Sequence, residues 1–161
     1  MIVLKTAGQK TAVAALCAAL VTCATFLSVP VPGFRLYFNF GEGVIYCTAI
    51  LFGKTVGGLC GGLGAALADL LLGYPLWAPF TFVIKGIEGY VVGRLAPYGE
   101  KKAMAVGAVI MAAGYSTMAA VLYGIPAAPV ELVTDIAQTS VGALFACFMV
   151  PQLRKIVTTE K

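Results

Sequence analysis

Apolar residues run along this chain in long blocks, broken at short intervals by proline, glycine and charge. The blocks lie at about residues 11–29, 41–52, 56–72, 80–95, 103–122 and 129–150. Most approach the roughly 20 apolar residues that a helix needs to cross hydrocarbon, and the second is short. Pro30 and Pro32 follow the first block, and proline both lacks an amide N–H and biases the preceding residue away from helix. Gly73-Tyr74-Pro75 with Pro79, Pro97 with Gly99, and Tyr123-Gly124-Ile125-Pro126 mark later breaks. Pro129 suits a helix's first turn, and Pro151 is expected to close the last block. The pattern predicts an all-α integral membrane protein, a compact bundle of six transmembrane helices forming one domain over residues 1–161.

Composition agrees with the pattern. Hydrophobic residues make up 60% of the 161, charged ones 11%, and the mean hydropathy is +0.95, far outside the range of soluble domains. Lys5 and Lys10 ahead of an apolar block resemble the start of a signal peptide, but Pro30-Val31-Pro32 stands where a small-residue cleavage site would be, so the block reads as a span. Six spans place both termini on one side. With that side cytoplasmic, it receives Lys5, Lys10, Lys54, Arg94, Lys101, Lys102, Arg154, Lys155 and Lys161, leaving Arg35 outside and Lys85 within a span. This positive-inside bias accounts for the net charge of +4 without a nucleic-acid partner.

Several chemistries are set aside by residue type. Histidine is absent, and the five cysteines lie in apolar runs without CxxC spacing, so they read as packing residues. No catalytic constellation, metal set or cofactor motif is expected. Gly53, Gly57 and Gly61 recur every four residues beside Gly58 and Gly62, which predicts close helix crossings. No strand precedes them and no Gly-Lys-Ser/Thr follows, so they do not read as a phosphate loop. Ala14 with Ala18 and Ala15 with Ala19 form similar small-residue pairs in the first span.

The informative stretch runs from Leu51 to Gly93, where Asp69, Lys85 and Glu88 interrupt apolar helices. A charge in hydrocarbon costs about 2.5–3.5 kcal/mol on insertion scales unless it is paired or wet. At ~1.5 Å per residue, Asp69 and Lys85 both sit about 6–9 Å below the outer turn, where they can meet across the hairpin. Glu88 shares a face with Lys85, Glu131 and Asp135 form an i, i+4 pair early in the sixth span, and Glu42 opens the second. The six ionisable groups gather in the outer half, as in a pocket open to the outside. A structural ion pair is the plainer reading, but five carboxylates against one lysine do not balance. Asn39-Phe40-Gly41-Glu42 also reads as a helix cap with a Glu three residues on. The loop over residues 30–40 sets Phe34, Tyr37, Phe38 and Phe40 around Arg35 and Asn39, either as an interfacial aromatic belt or as a lid over a ligand. Trp77 reads as an interface anchor.

These features resemble the substrate-binding S component of energy-coupling factor (ECF) vitamin transporters. The resemblance covers the six short spans, the alanine pairs, the loop that follows them and, most specifically, ALADLLLGYPLWAPFTFVIKGIEG from Ala66 to Gly89. It implies a multi-pass protein of a bacterial or archaeal plasma membrane, surrounded by lipid, with both termini cytoplasmic. Such a protein captures a micronutrient from outside and topples in the membrane to release it. Its partners would be a transmembrane coupling (T) subunit, met through Ala14, Ala15, Ala18 and Ala19, and two cytoplasmic ATPase subunits. Ligand contacts carry over to Asn39, Glu42, Asp69, Trp77, Lys85, Glu88, Glu131 and Asp135, with Tyr37, Phe38 and Phe40 in the lid. Aromatics beside carboxylates suit a flat nitrogen heterocycle of riboflavin, pyridoxine, hydroxymethylpyrimidine or deazapurine type. A structural or assembly subunit is the alternative, followed by an intramembrane enzyme using Asp69 and Lys85.

Overall fold

Ten of the twelve residues of the second helix, Gly41–Phe52 (α2), are buried, because a helix that is apolar on nearly every side has no face to give to solvent. In the computed structural model, which describes residue 2 and residues 6–30 and 37–159, α2 is the central element. Around it pack Ala7–Phe26 (α1), Lys54–Leu72 (α3), Ala78–Leu95 (α4) and Ala127–Thr159 (α6), while Glu100–Tyr123 (α5) lies against α4 and α6. A 3-10 turn over Ala96–Tyr98 joins α4 to α5.

Four of these helices are long and apolar enough to cross a membrane: α1, α3, α5 and the Ala127–Ile156 part of α6. Composition alone does not mark α4, because its eighteen residues include Lys85, Glu88 and Arg94. At ~1.5 Å per residue α2 is only about 18 Å long; its burial, rather than its length, makes it part of the bundle. The outer surface is apolar, with Leu16, Val109, Leu144 and Phe148 all more than 60% exposed. A surface of that kind is at home in lipid.

α3 and α4 cross in close contact, and the glycine rows make it possible. A Cβ on Gly57 would lie 2.7 Å from the Gly89 carbonyl, one on Gly61 2.7 Å from that of Lys85, and one on Gly62 2.8 Å from that of Phe82. Helix backbones therefore touch where side chains would hold them apart. The α1–α3 crossing uses Gly64, whose Cβ would meet the Ala18 carbonyl at 2.5 Å, and Thr22 Oγ1 donates to the Gly64 carbonyl at 2.8 Å.

Several expectations are corrected. The loop after α1 contains a small antiparallel hairpin, Ser28–Pro30 (β1) with Tyr37–Asn39 (β2), in the register Ser28↔Asn39 and Val29↔Phe38. Phe34, Arg35 and the Tyr37 side chain lie outside the described residues. The first helix begins earlier than its apolar block because Thr6 and Gln9 form a reciprocal capping box. Pro151 does not close α6 but lies inside it. Tertiary contacts offset the hydrogen bond lost there: Val150 is buried, and Arg154, one turn on, pairs with Glu100 of α5 at 2.6 Å. Ala14 is buried and Ala18 partly so, with the Ala18 carbonyl against Gly64 of α3, whereas Ala15 and Ala19 point outward. The two alanine pairs thus serve different faces.

Candidate ligand-binding site

Lys85 reaches its buried position because Gly61 lets α3 lie directly against the Lys85 backbone. Its side chain is then enclosed between α2, α4 and α5. The Nζ group donates to Glu42 Oε2, to Glu88 Oε2 at 3.1 Å and to Met111 Sδ at 2.9 Å, and lies 5.6 Å from the centre of the Tyr115 ring. Tyr46 donates from its hydroxyl to Glu88 Oε1 at 3.1 Å, and Tyr115 to Thr81 Oγ1 at 3.1 Å. Glu42, Glu88 and Lys85 are each at most 3% exposed. Ion pairs this deep require good geometry to offset desolvation, and a shared ammonium with a tyrosine donor supplies it.

Of the carboxylates expected near Lys85, Glu88 pairs with it, and Glu42 joins from α2. A Cβ on Gly142 would come within 2.7 Å of Glu42 Cβ, so α6 closes directly over the start of α2. Asp69 is buried near the end of α3, and its carbonyl accepts the Tyr74 N–H at 2.7 Å.

The face of α6 above Glu42 carries Glu131, Asp135, Gln138 and Thr139, all buried, at helical spacing. Glu131 and Asp135 lie within electrostatic reach of Lys85. Gln138 fastens the hairpin: its Oε1 accepts the Asn39 backbone N–H at 2.8 Å and the Asn39 Nδ2 at 3.1 Å. Asn39 Oδ1 in turn accepts the Gly41 N–H at 2.9 Å. The expected capping box is therefore absent. Phe40 is the N-cap, without a side-chain hydrogen bond, because Asn39 is engaged with α6 and Glu42 with Lys85. Phe38 and Phe40 pack edge to face at 5.4 Å.

Trp77 is buried rather than anchored at an interface. Its Nε1 donates to the Tyr123 hydroxyl at 2.8 Å, and its ring lies 5.6 Å from Tyr115 and 6.0 Å from Tyr123. Tyr115 thus joins this aromatic group to the Lys85 cluster. Gln138, Tyr46, Met111, Tyr115 and Tyr123 were not singled out from sequence. Gln138 is seven residues after Glu131, a spacing that places it on the same helix face.

Three buried carboxylate oxygens, Glu42 Oε1, Glu131 Oε2 and Asp135 Oδ2, accept no hydrogen bond from the described residues. A buried acceptor left unpaired costs about 1–3 kcal/mol, so this arrangement suits a guest that brings N–H or O–H donors. Among the described residues no group of three histidine, cysteine, aspartate or glutamate side chains is arranged to hold a metal ion.

Comparison with known proteins identifies the family. Over 130 residues, 77% of this chain and 87% of the other, the sequence is 44% identical to a Pyrococcus woesei protein described as an uncharacterized protein in the gap 3′ region. Over 111 residues, 69% of this chain and 66% of the other, it is 31% identical to the thiamine precursor transporter HmpT of Lactococcus lactis subsp. cremoris, strain MG1363. The profile of the ECF-type riboflavin transporter, S component, matches residues 5–155. The chain belongs to the family of ECF-type riboflavin transporter S components, multi-pass membrane proteins that serve as substrate-binding transporter subunits.

Proposed function

We propose that this subunit captures, from outside the cell, a compact nitrogen heterocycle of pyrimidine or pyridine type that carries several N–H or O–H donors. The observation that carries the proposal is the set of buried, unpaired acceptors on Glu42, Glu131 and Asp135, beside a cluster whose one cation among the described residues, Lys85, is already engaged by Glu42 and Glu88. Amino and hydroxymethyl groups would satisfy these acceptors, and the flat ring would pack against Trp77 and Tyr115. The thiamine precursor named for HmpT fits this description. Asn39, Phe38 and Phe40, fastened to α6 through Gln138, form the lid, and Asp69 contributes from the α3 side.

The family description favours a second reading, riboflavin, whose ribityl hydroxyls are donors. Heating the purified protein with hydroxymethylpyrimidine, pyridoxine, a deazapurine or riboflavin separates the two. The first reading expects the pyrimidine or pyridine compounds to raise the melting temperature most. A yellow flavin co-purifying with the chain selects the second.

In the membrane, all six helices form one domain with both termini cytoplasmic and the candidate site toward the outside. Import is driven by ATP hydrolysed in two ATPase subunits and relayed by a coupling (T) subunit. The outward row of Ala15 and Ala19 is the face for that partner. Release by toppling of the whole subunit requires no polar path through the inner half. The ligand leaves chemically unchanged, which separates this function from an intramembrane enzyme, and its binding separates it from an assembly subunit.

A further inference from the structure

At the end of the bundle opposite the candidate site, a cavity of about 430 Å³ opens between the start of α1, the α2–α3 turn and the end of α4. The length of α2, about 18 Å at ~1.5 Å per residue, separates it from Glu42. Lys10, Lys54 and Arg94 line this cavity with Phe52, Gly53 and Gly93. The positive-inside pattern explains why these cations share an end of the molecule, but it does not explain why three surround one void.

The backbone sets them there. Gly53 has φ +86°, which turns the chain sharply between α2 and α3, and a Cβ on Gly93 would lie 2.6 Å from the Lys54 nitrogen. The contact at Gly93 therefore presses α4 onto that turn and sets Arg94 beside Lys54. Lys54 is further held over the Tyr90 ring, 5.5 Å from its centre. Among the described residues no carboxylate lines the cavity, and Lys10, Lys54 and Arg94 form no ion pair. The nearby Glu100 is engaged by Arg154. All three are exposed, and like charges gathered around one open cavity raise the local potential that draws an anion.

We propose that this cavity binds a phosphate group, supplied either by the headgroup of an anionic phospholipid or by phosphate free in solution. Basic pockets between transmembrane helices are suited to such headgroups. The apolar wall at Phe52 is suited to the lipid source. The proposal rests on the membrane placement of the chain and not on the identity of its vitamin ligand.

The test uses the full chain in detergent, with native mass spectrometry to count retained lipid after exposure to phosphatidylglycerol or phosphatidylcholine. A parallel arm adds inorganic phosphate to delipidated protein and follows the melting temperature. Phosphatidylglycerol should be retained in preference to phosphatidylcholine, with affinity falling roughly five-fold for each cation removed, or on the order of 100-fold in K10Q/K54Q/R94Q. The control K101Q/K102Q/K155Q removes equal charge outside this cavity and should retain the lipid. Stabilisation by inorganic phosphate without lipid retention, lost in K10Q/K54Q/R94Q, supports the site with a soluble source. Equal retention by K10Q/K54Q/R94Q and the unmodified chain, or equal loss in the control, overturns the proposal, as does a failure of both phosphatidylglycerol and phosphate to bind.

Discussion

Lys85 forms an ion pair with Glu42, 43 residues earlier in the chain, and so ties the buried central helix α2 to α4. Both groups are shut away from solvent, and Glu88 shares the same ammonium. Removing one partner of such a buried pair costs about 3–5 kcal/mol, because the remaining charge is left uncompensated. Lys85→Met is therefore expected to lower unfolding stability in detergent by about that much. The triple variant K85M/E42Q/E88Q should recover part of the loss. A Lys85→Met protein as stable as the original would contradict the pairing.

Gln138 holds the hairpin to α6 through two hydrogen bonds to Asn39. Gln138→Ala frees the lid, so ligand dissociation is expected to accelerate about ten-fold, equivalent to roughly 1.4 kcal/mol. Because Gln138 is buried, the unliganded protein should also melt earlier, by about the 1–3 kcal/mol that an unpaired buried group costs. Stopped-flow displacement of a bound heterocycle measures the rate directly.

Two glycines in the α3–α4 contact should respond differently to the same methyl group. Gly61→Ala forces a Cβ to within 2.7 Å of the Lys85 carbonyl, and overpacking of this kind costs about 1–3 kcal/mol. A Cβ on Gly86 meets nothing closer than 3.7 Å, so Gly86→Ala is expected to be neutral or to stabilise by up to about 1 kcal/mol through helix propensity. Melting temperatures of the two variants in one detergent give the comparison.

The alanine rows of α1 can be separated in the same way. Ala15→Leu and Ala19→Leu add bulk to the outward face and should abolish co-purification with the coupling subunit while leaving ligand affinity within about two-fold, since changes at exposed sites are usually within about 0.5 kcal/mol. Ala14→Leu is directed into the bundle and should lower stability instead. Pull-down with the coupling module and melting of the isolated subunit distinguish the two effects.

Much of the helical layout was legible because apolar blocks and turn residues are local signals. The glycines at intervals of four also carried their meaning directly, as the contacts of Gly57 and Gly61 demonstrate. What was not legible depends on contacts distant in sequence. Spacing within the α3–α4 hairpin offers Lys85 both Asp69 and Glu88; Glu88 is a partner in the structure, and Glu42 joins it from α2 across 43 residues, a pairing that no local spacing specifies. Gln138 drew no attention because an amide in a span is a weaker signal than a charge, although its spacing from Glu131 was available. Trp77 and Pro151 followed general tendencies that tertiary packing overrides: Tyr123 gives the indole a partner inside the bundle, and Arg154 anchors the helix beyond the proline.

Native mass spectrometry of the purified subunit, followed by release and identification of whatever small molecule it carries, is the decisive experiment. One unmodified, donor-bearing heterocycle per chain is expected, retained by the original sequence and lost from Glu42→Gln and Asp135→Asn variants that still fold. An empty subunit that no pyrimidine, pyridine, deazapurine or flavin compound stabilises, or a ligand held equally well by those variants, would contradict the proposed function.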